Sequence, residues 1–265
     1  MDRVPNVVHF CYGFRPGAEF GFLEYLAVRS ARDVNAPDRI CFHCGHEPPG
    51  RWWEDAKRLL TLVRVEPPTE AFGRRLCHHA HQADFMRVEI LIRYGGIYLD
   101  IDTLCLRPFG KLRQHECVMG QQGDRGLCNA VILAAPGARF LLEWRESFRS
   151  FRSRGRDAYW DEHAVLVPGR LAQEGHLRNH IHILGPRAFS YPLWHEMESL
   201  FESNDRGLFS GSYCVNLWST LTQERWLSRV TPEYVRDVDF FPEETRKFHG
   251  TPIKNLGVIA TKPPA

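Results

Sequence analysis

The sequence contains no long hydrophobic run. Across its 265 residues, no window reaches the ~18 apolar residues that a membrane-spanning helix requires. The opening stretch, MDRVPNVVHFCYG, also lacks the apolar segment of a secretory signal peptide. These two absences predict a cytoplasmic protein without a transmembrane segment, and they leave open a peripheral contact at the inner face of the membrane.

A large excess of charge of one sign is missing as well. The chain has 34 Lys and Arg against 32 Asp and Glu, a net charge of +2 at pH 7. Domains that bind nucleic acid are typically far more basic, so no nucleic-acid partner is predicted. Hydrophobic residues make up 43% of the chain, which excludes a largely disordered protein. Any binding function must therefore come from a local site.

The cysteines do not show the spacing of a zinc ribbon. Most of the eight lie in hydrophobic runs such as IYLDIDTLCL and CNAVILAA, as small buried residues do in a reducing compartment. Cys41 and Cys44 fall on a predicted strand, where positions three apart face opposite sides. A second C-x₂-C pair at ribbon spacing is absent. We therefore predict neither a disulfide framework nor structural zinc.

Strand and helix patterns alternate over the first 105 residues, which favours parallel βαβ units in a three-layer α/β fold. The predicted strands of this part are 4–12, 40–44, 62–65 and 97–102, and the predicted helices are 20–32, 52–62 and 78–94. Further on we predict strands 117–120, 130–134 and 212–218 and a helix 140–151. Between 152 and 212 the elements are short. The prediction is one domain over 1–240, with halves 1–140 and 141–240, and a polar tail over 241–265.

The stretch Tyr94-Gly-Gly-Ile-Tyr-Leu-Asp-Ile-Asp-Thr103 is the most informative. On a strand, Asp100 and Asp102 would face one side, roughly 6.5–7 Å apart, at the carboxyl end where open α/β sheets bind ligands. Two buried acids need a compensating cation, and oxygen ligands suit Mn²⁺ or Mg²⁺ while leaving positions for phosphate oxygens. The alternative is that both acids only cap a turn.

The preceding helix carries two more charged residues. Asp84 and Arg87 lie three residues apart on an otherwise apolar segment, so they share one face. They form either an internal ion pair or part of a site, with Arg87 toward an anion or sugar and Asp84 toward hydroxyls. Because Gly95 and Gly96 turn the chain back beside the helix, one cleft can hold all four charged residues.

These residues carry a family resemblance. The pattern A-x-x-A-D-x-x-R-x-x-I-L-x-x-Y-G-G-I-Y-L-D-I-D-T, from Ala80 to Thr103, resembles the signature of glycosyltransferases with a DXD sugar-binding region, among them yeast initiating mannosyltransferases, α-1,4-glycosyltransferases and clostridial glucosylating toxins. Residues 4–12 are similar to the family's opening strand, and Cys128-Asn-Ala-Val-Ile132 to its later strand. The similarity covers about residues 4–140, with a weaker echo at 185–219.

The resemblance implies a GT-A-type fold with a mixed, mainly parallel sheet flanked by helices. It also implies a nucleotide-sugar donor (UDP-sugar favoured), a bound Mn²⁺ or Mg²⁺, retention of anomeric configuration, and a saccharide or other hydroxyl acceptor, as in polysaccharide biosynthesis. By position in the motif, His9 and Tyr12 belong to the substrate-binding set, with Tyr12 stacking on the base. Asp84 and Arg87 would contact the donor sugar, with Arg87 also in the catalytic set.

The same resemblance assigns the acid pair and a late segment. Asp100 would contact ribose or bridge through the metal, and Asp102 would bind the metal directly; both are catalytic candidates. Tyr213-Cys-Val-Asn-Leu-Trp-Ser219 is similar to the family's late H-x-W segment. Asn216 stands where histidine is usual and is a candidate metal ligand, because an amide oxygen can bind a hard cation. Trp218 would lie by the phosphates.

Other functions stay open at this stage. Asp100-Ile-Asp-Thr103 resembles the D-x-D-x-T motif of aspartyl phosphatases, although one residue is missing between the second Asp and Thr, so a metal-dependent phosphoryl-transfer enzyme or hydrolase is the alternative. The basic, aromatic run 148–156 can bind an anionic surface, but a solvated helix end fits a nearly neutral chain better. Asp161 and Glu162 are either acceptor contacts or solvated acids.

Overall fold

The computed structural model describes residues 1–15, 17–202 and 209–237, so the predicted tail 241–265 lies outside the described residues. The strands, in chain order, are β1 Val7–Tyr12, β2 Arg39–Cys44, β3 Thr61–Arg64, β4 Glu70–Ala71, β5 Arg74–Arg75, β6 Gly96–Leu99, β7 Thr103–Cys105, β8 Cys117–Gln121, β9 Leu127–Ala134, β10 His182–Leu184 and β11 Cys214–Asn216. The helices are α1 Phe22–Asn35, α2 Arg51–Lys57, α3 His79–Tyr94, α4 Arg139–Ser147, α5 Val167–Leu171, α6 Glu198–Glu202, α7 Ser219–Thr222 and α8 Pro232–Asp237.

Seven strands form the main sheet, in the order β10-β8-β9-β6-β1-β2-β3. Its neighbouring strands run parallel except at β9, which is antiparallel to both β6 and β8. Two small antiparallel pairs, β7 with β11 and β4 with β5, lie outside it. Because β1 and β6 are parallel neighbours, their carboxyl ends meet at one edge of the sheet, where ligands are expected in such folds.

Alternation along the central strands divides the core between the two faces of the sheet. Ile97 and Leu99 of β6 pack into the core with α1 and α2, whereas Tyr98 packs into the second core with α3 and α4. All three side chains are buried, as expected for a central strand covered on both faces. The predicted three-layer α/β arrangement is therefore confirmed.

Two glycines hold α3 beside β6. Gly95 and Gly96 have φ of 63° and 112°, a region that side chains rarely adopt. A Cβ on Gly95 would meet Pro136 Cδ at 2.6 Å, and one on Gly96 would meet the Val7 carbonyl oxygen at 2.6 Å. The turn therefore brings the charged face of α3 next to the end of β6.

Several predicted boundaries need correction. The predicted strand 97–102 ends at Leu99, because the chain turns at Asp100–Asp102 and pairs again only as β7. The predicted helix 52–62 stops at Lys57, and 140–151 stops at Ser147 before a 3₁₀ turn, Phe148–Ser150. Within the described residues, no helix combines the length and apolar character needed to span a membrane. All eight cysteines are free thiols, and seven of them are buried.

Candidate active site

A cleft of about 570 Å³ opens at the carboxyl edge of the sheet. Its lining comes from α3, the turn after β6, β9, the segment 156–165 and the residues around α7. Six of the eight site residues predicted from the sequence line it: Asp84, Arg87, Asp100, Asp102, Asn216 and Trp218. The structure thus brings together side chains from both halves of the chain.

The acid pair lies on a turn, not on a continued strand. The Asp100 amide donates to the Ala130 carbonyl of β9 at 2.8 Å, and the Thr103 amide donates back to the Asp100 carbonyl at 3.0 Å. Both carboxylates still reach the same cleft. The shared side predicted for Asp100 and Asp102 is therefore produced by a turn at the sheet edge.

Arg87 connects the two acidic elements. It is 4% exposed, and its guanidinium lies 3.0 Å from Oδ1 of Asp84 and 3.0 Å from Oδ1 of Asp100. It also donates to the Asn129 carbonyl at 2.8 Å. Burial alone would lower the pKa of Arg87, but the charges of Asp100 and Asp84 outweigh it and raise the pKa overall. The predicted internal ion pair is therefore present, both of its residues line the cleft, and Arg87 orients two carboxylates.

Asn129 completes this network and is a residue that the sequence reasoning missed. Its amide donates to Oδ1 of Asp84 at 2.7 Å, and its side chain is 9% exposed. Burial raises the pKa of Asp84, which the charge of Arg87 partly offsets. The signal in the sequence was one amide within the otherwise apolar strand LCNAVILA.

Asp102 is bound by the late segment of the chain. Pairing of β7 with β11 places Asn216 opposite Thr103, next to the acid pair. The Ser219 amide then donates to Oδ2 of Asp102 at 2.7 Å, and the Leu217 amide donates to its carbonyl at 2.9 Å. Burial, and then the charge of Asp100, raises the pKa of the Asp102 carboxyl. A cation in the cleft would reverse that effect.

Asn216 and Trp218 are fixed by one tight turn. Oδ1 of Asn216 accepts from the Trp218 amide at 3.1 Å, and Trp218 takes a left-handed φ of 53° where α7 begins. The Trp218 indole donates to the Pro192 carbonyl at 2.9 Å. The indole is thus held at the cleft wall.

The donor set fits a hard divalent cation. Both hydrogen bonds that described residues donate to the Asp100 carboxylate, from Arg87 and Tyr98, end on Oδ1, so Oδ2 is left for another partner. Within the described ranges, no group of three or more His, Cys, Asp or Glu side chains is arranged to hold a metal. Oxygens of Asp100, Asp102 and Asn216 line the cleft, and they are of the types that a hard divalent cation binds together with phosphate oxygens.

The structure does not bring His9 into the cleft. Its side chain is 2% exposed, with Nδ1 at 3.0 Å from Nε2 of His43 and Nε2 at 3.0 Å from the Gly95 carbonyl oxygen. Burial lowers the pKa of His9 to about 4, so the ring is neutral at pH 7. Both ring nitrogens are engaged, so His9 has a structural position between two strands, and its assignment to substrate binding stays a prediction.

Tyr12 also lies outside the cleft lining, although it ends β1 at the same sheet edge. Its hydroxyl donates to the Glu19 carbonyl at 2.7 Å, and its ring packs against Phe20 and Phe42. Its neighbour Cys11 faces the other side of the sheet, in the core with α3 and α4. The Tyr12 ring therefore packs on the side of α1 and α2, away from Arg87, and its place in substrate binding stays a prediction.

The segment after α4 forms one wall of the cleft, for which the sequence predicted few structural elements. Trp160 and Asp161 line the cleft, together with Arg125 from the β8–β9 loop and Trp194. Glu162 instead forms a two-point pair with Arg152 at 2.7 and 2.9 Å and does not line the cleft. The basic run is likewise partly neutralised by local ion pairs, including that of Arg149 with Glu146.

Comparison with known proteins agrees with this geometry. The sequence model described as "Glycosyltransferase sugar-binding region containing DXD motif" matches residues 33–119. "Glucan organizing enzyme 1" of Cryptococcus neoformans is 34% identical over 267 residues, which cover 93% of this chain and 71% of the relative. Human "Alpha-1,4-N-acetylglucosaminyltransferase" is 27% identical over 187 residues, covering 64% of this chain and 52% of the human protein.

A solved structure supports the fold. The glycosyltransferase GlyE of Streptococcus pneumoniae superimposes with a TM-score of 0.50 at 8% identity, over 98% of this chain and 61% of that chain. This likeness confirms the GT-A-type architecture expected from the sequence. The family match and the fungal relative lead to one assignment: the chain belongs to the glycosyltransferases whose sugar-binding region contains the DXD motif.

Proposed function

We propose that this glycosyltransferase is metal-dependent and retaining, and that it moves a sugar from a UDP-sugar to a saccharide or other hydroxyl acceptor. One observation carries the proposal: Asp100, Asp102 and Asn216 converge at the cleft that also contains the Arg87–Asp84 network. Such a set of oxygens beside a fixed guanidinium suits a diphosphate bound through a cation.

A bound Mn²⁺ or Mg²⁺ would neutralise the diphosphate and stabilise it as a leaving group. In this proposal the chain's own residues do the positioning. Arg87 and Tyr98 hold Oδ1 of Asp100, which leaves Oδ2 directed to the ligand. The Ser219 amide orients Asp102. The side chains are therefore preorganised, so little rearrangement is needed when the donor binds.

Donor-sugar recognition is assigned to the α3 face. Arg87 and the Asn129 amide both bind Oδ1 of Asp84. Oδ2 of Asp84 is therefore available to sugar hydroxyls. Trp218, held through its indole nitrogen, would lie by the phosphates. Tyr12 ends the strand next to this network, and we propose that a base stacks there.

In the transfer step, the bond between the anomeric carbon and the diphosphate oxygen breaks. The acceptor hydroxyl oxygen bonds to that carbon from the same face, and its proton passes to the departing diphosphate. Retention in this proposal rests on the family resemblance. NMR coupling of the product's anomeric proton tests it, and an inverted product would contradict it.

The aspartyl-phosphatase alternative is disfavoured by the sequence comparisons. The matching family model describes a glycosyltransferase sugar-binding region, and the human relative is a glycosyltransferase by name. The spacing points the same way, because Thr103 directly follows Asp102 where the phosphatase motif has one residue between them.

We also infer a single catalytic domain over 1–240. Strand β10 joins the main sheet beside β8, and β11 pairs with β7, so the second half completes structures begun by the first. Manganese as the preferred ion, a role in polysaccharide biosynthesis and a cytoplasmic location stay predictions from the sequence.

The proposal is tested by thermal unfolding with UDP and Mn²⁺. At about 100 times Kd a ligand stabilises by ~2.7 kcal/mol, which corresponds to a rise of roughly 5–10 °C in Tm for a chain of this size. We expect that rise for the unmodified protein, and Asp102→Ala should lose its Mn²⁺-dependent part together with most transfer activity. Asp124→Ala, an exposed acid outside this cleft, is the control. Near-normal transfer by Asp102→Ala with metal chelated would refute the mechanism.

A further inference from the structure

Part of the cleft lining has no place in the proposed binding of the sugar donor and the cation. Two tryptophans, Trp160 and Trp194, line it together with Arg125, Asp161 and Gln122. None of these side chains contacts the acid network in the hydrogen bonds of the described residues. This part of the wall therefore requires its own explanation.

Trp194 presents an unusually open ring to the cleft. It is 50% exposed, although large aromatic side chains gain most from burial. It begins a short 3₁₀ segment, Trp194–Glu196, two residues after Pro192. Because the Trp218 indole donates to the Pro192 carbonyl, this segment is tied to the turn that carries Asn216. The exposed ring is thus attached to the site, not to a separate loop.

Trp160 is held more firmly. Its ring packs in T-shaped contact with His78 at 4.8 Å and lies 4.7 Å from the ring of His81. Its carbonyl contacts Nε2 of His81 at 3.1 Å. The loop before it is fixed by Asp157, whose carboxylate accepts from Ser153, the Arg154 amide and the Tyr159 amide. Trp160 is therefore a preorganised aromatic surface.

Polar groups accompany the two rings. Asp161 pairs with Arg125 at 2.5 Å, with 26% and 61% of the two side chains exposed. Ion pairs this exposed contribute little, so both groups can turn to a ligand at small cost. Gly126 fixes the geometry, because a Cβ there would lie 2.3 Å from the Val165 carbonyl oxygen. The β8–β9 loop and the segment after Asp161 thus form one rigid wall.

We propose that this wall, with Trp160, Trp194, Asp161 and Arg125, is the acceptor site, and that it takes a pyranose saccharide. The inference rests on the proposed function and names its acceptor class. A pyranose has an apolar C–H face that suits the negative face of an indole ring. Its hydroxyl edge suits a carboxylate and a guanidinium. A lipid chain would desolvate the Asp161–Arg125 ion pair and offer it no hydrogen bonds, which is unfavourable.

The test follows binding at each tryptophan. Protein labelled with 5-fluorotryptophan is titrated with maltotriose, cellotriose and mannotriose, and the ¹⁹F resonances of Trp160 and Trp194 are followed. We expect at least one trisaccharide to shift both resonances. Trp194→Ala and Asp161→Asn should each weaken that binding about tenfold, while the Tm rise with UDP and Mn²⁺ stays unchanged. Tyr94→Ala, which removes another exposed aromatic from the opposite end of α3, is the matched control.

The outcomes separate this inference from the proposed function. If UDP and Mn²⁺ raise the Tm but no trisaccharide shifts either resonance, the saccharide site is overturned and the donor site stands. The saccharide site is also overturned if the variants bind the trisaccharide normally, or if phosphatidylcholine vesicles but no trisaccharide shift the ¹⁹F resonance of Trp194. If UDP and Mn²⁺ have no effect, the proposed function fails first.

Discussion

At the scale of single residues, Asp100 and Asp102 differ in their surroundings. Arg87 and Tyr98 share Oδ1 of Asp100, whereas Asp102 relies on the Ser219 amide and has a pKa raised by burial and by the charge of Asp100. Asp102 is therefore the acid whose charge depends most on a bound cation.

Mn²⁺ binding should depend on pH through Asp102. A cation binds the charged carboxylate, so its affinity falls as pH drops through the raised pKa of Asp102, earlier than for an exposed aspartate. Without cation the sign is opposite: the native state binds this proton more tightly, so this group's contribution to stability decreases as pH rises. Calorimetric Mn²⁺ titrations from about pH 4.5 to 7.5 measure the first effect. Asp102→Asn should bind weakly at every pH, and Asp161→Asn should follow the unmodified protein.

Arg87→Lys should impair both stability and activity. An ammonium cannot bridge Asp84 and Asp100 as the guanidinium does, and an incompletely paired buried charge costs about 3–5 kcal/mol. We expect a lower Tm and a loss of kcat/KM on the order of 100-fold, because Asp100 loses its orienting partner. Arg29→Lys is the control, because Arg29 is another buried arginine, its Nε lies 2.8 Å from Oδ2 of Asp33, and neither residue lines the cleft. It should lower Tm without changing kcat; an equal effect on kcat would contradict the role of Arg87.

The sequence correctly predicted that charged residues close together along the chain would share one cleft. Asp84, Arg87, Asp100 and Asp102 lie within one helix-turn-strand unit, so local periodicity brings them together. Asn129 was missed because its contact with Asp84 depends on how β9 pairs with β6, which periodicity does not show. The contact between His9 and His43 was not predictable for a similar reason, because it depends on the pairing of β1 with β2.

At the scale of elements, the α3–β6 turn positions the charged helix face. Gly96→Ala should therefore reduce activity as well as stability, because its Cβ would lie 2.6 Å from the Val7 carbonyl oxygen and 2.8 Å from Nε2 of His9. We expect the free energy of unfolding to fall by about 1–3 kcal/mol, as measured by urea unfolding. Gly73→Ala is the control, since Gly73 also has a positive φ, 74°, but open space around it. An equal loss in both variants would show that backbone strain alone matters.

The elements that carry Trp160 and Trp194 were the hardest to predict. The described elements between 152 and 212 are a five-residue π-helical turn, short 3₁₀ turns, helices of five residues and the three-residue strand β10. Such pieces have too few residues to show a period, and their positions come from packing, as with Gly126 against Val165. Asn216 and Trp218 were identified by resemblance, and only the β7–β11 pairing shows why they reach the acids.

At the scale of the whole molecule, Mn²⁺ and nucleotide binding should stabilise the folded chain more at pH 7 than at pH 5. The cation favours the charged form of Asp102, which burial disfavours in its absence. Differential scanning calorimetry at both pH values measures the rise in Tm at fixed Mn²⁺ and UDP. A rise at pH 5 equal to that at pH 7 would contradict this coupling between protonation of Asp102 and cation binding.

The bond from the Ser219 amide to Asp102 joins positions 117 residues apart. A chain growing on the ribosome therefore has its two aspartates long before it has the amide that orients one of them. Until residues around 214–219 have emerged and β11 has paired with β7, the nascent polypeptide cannot complete the cleft around Asp102. Enzymatic activity should consequently appear in one step, after residues 214–219 have emerged and not before.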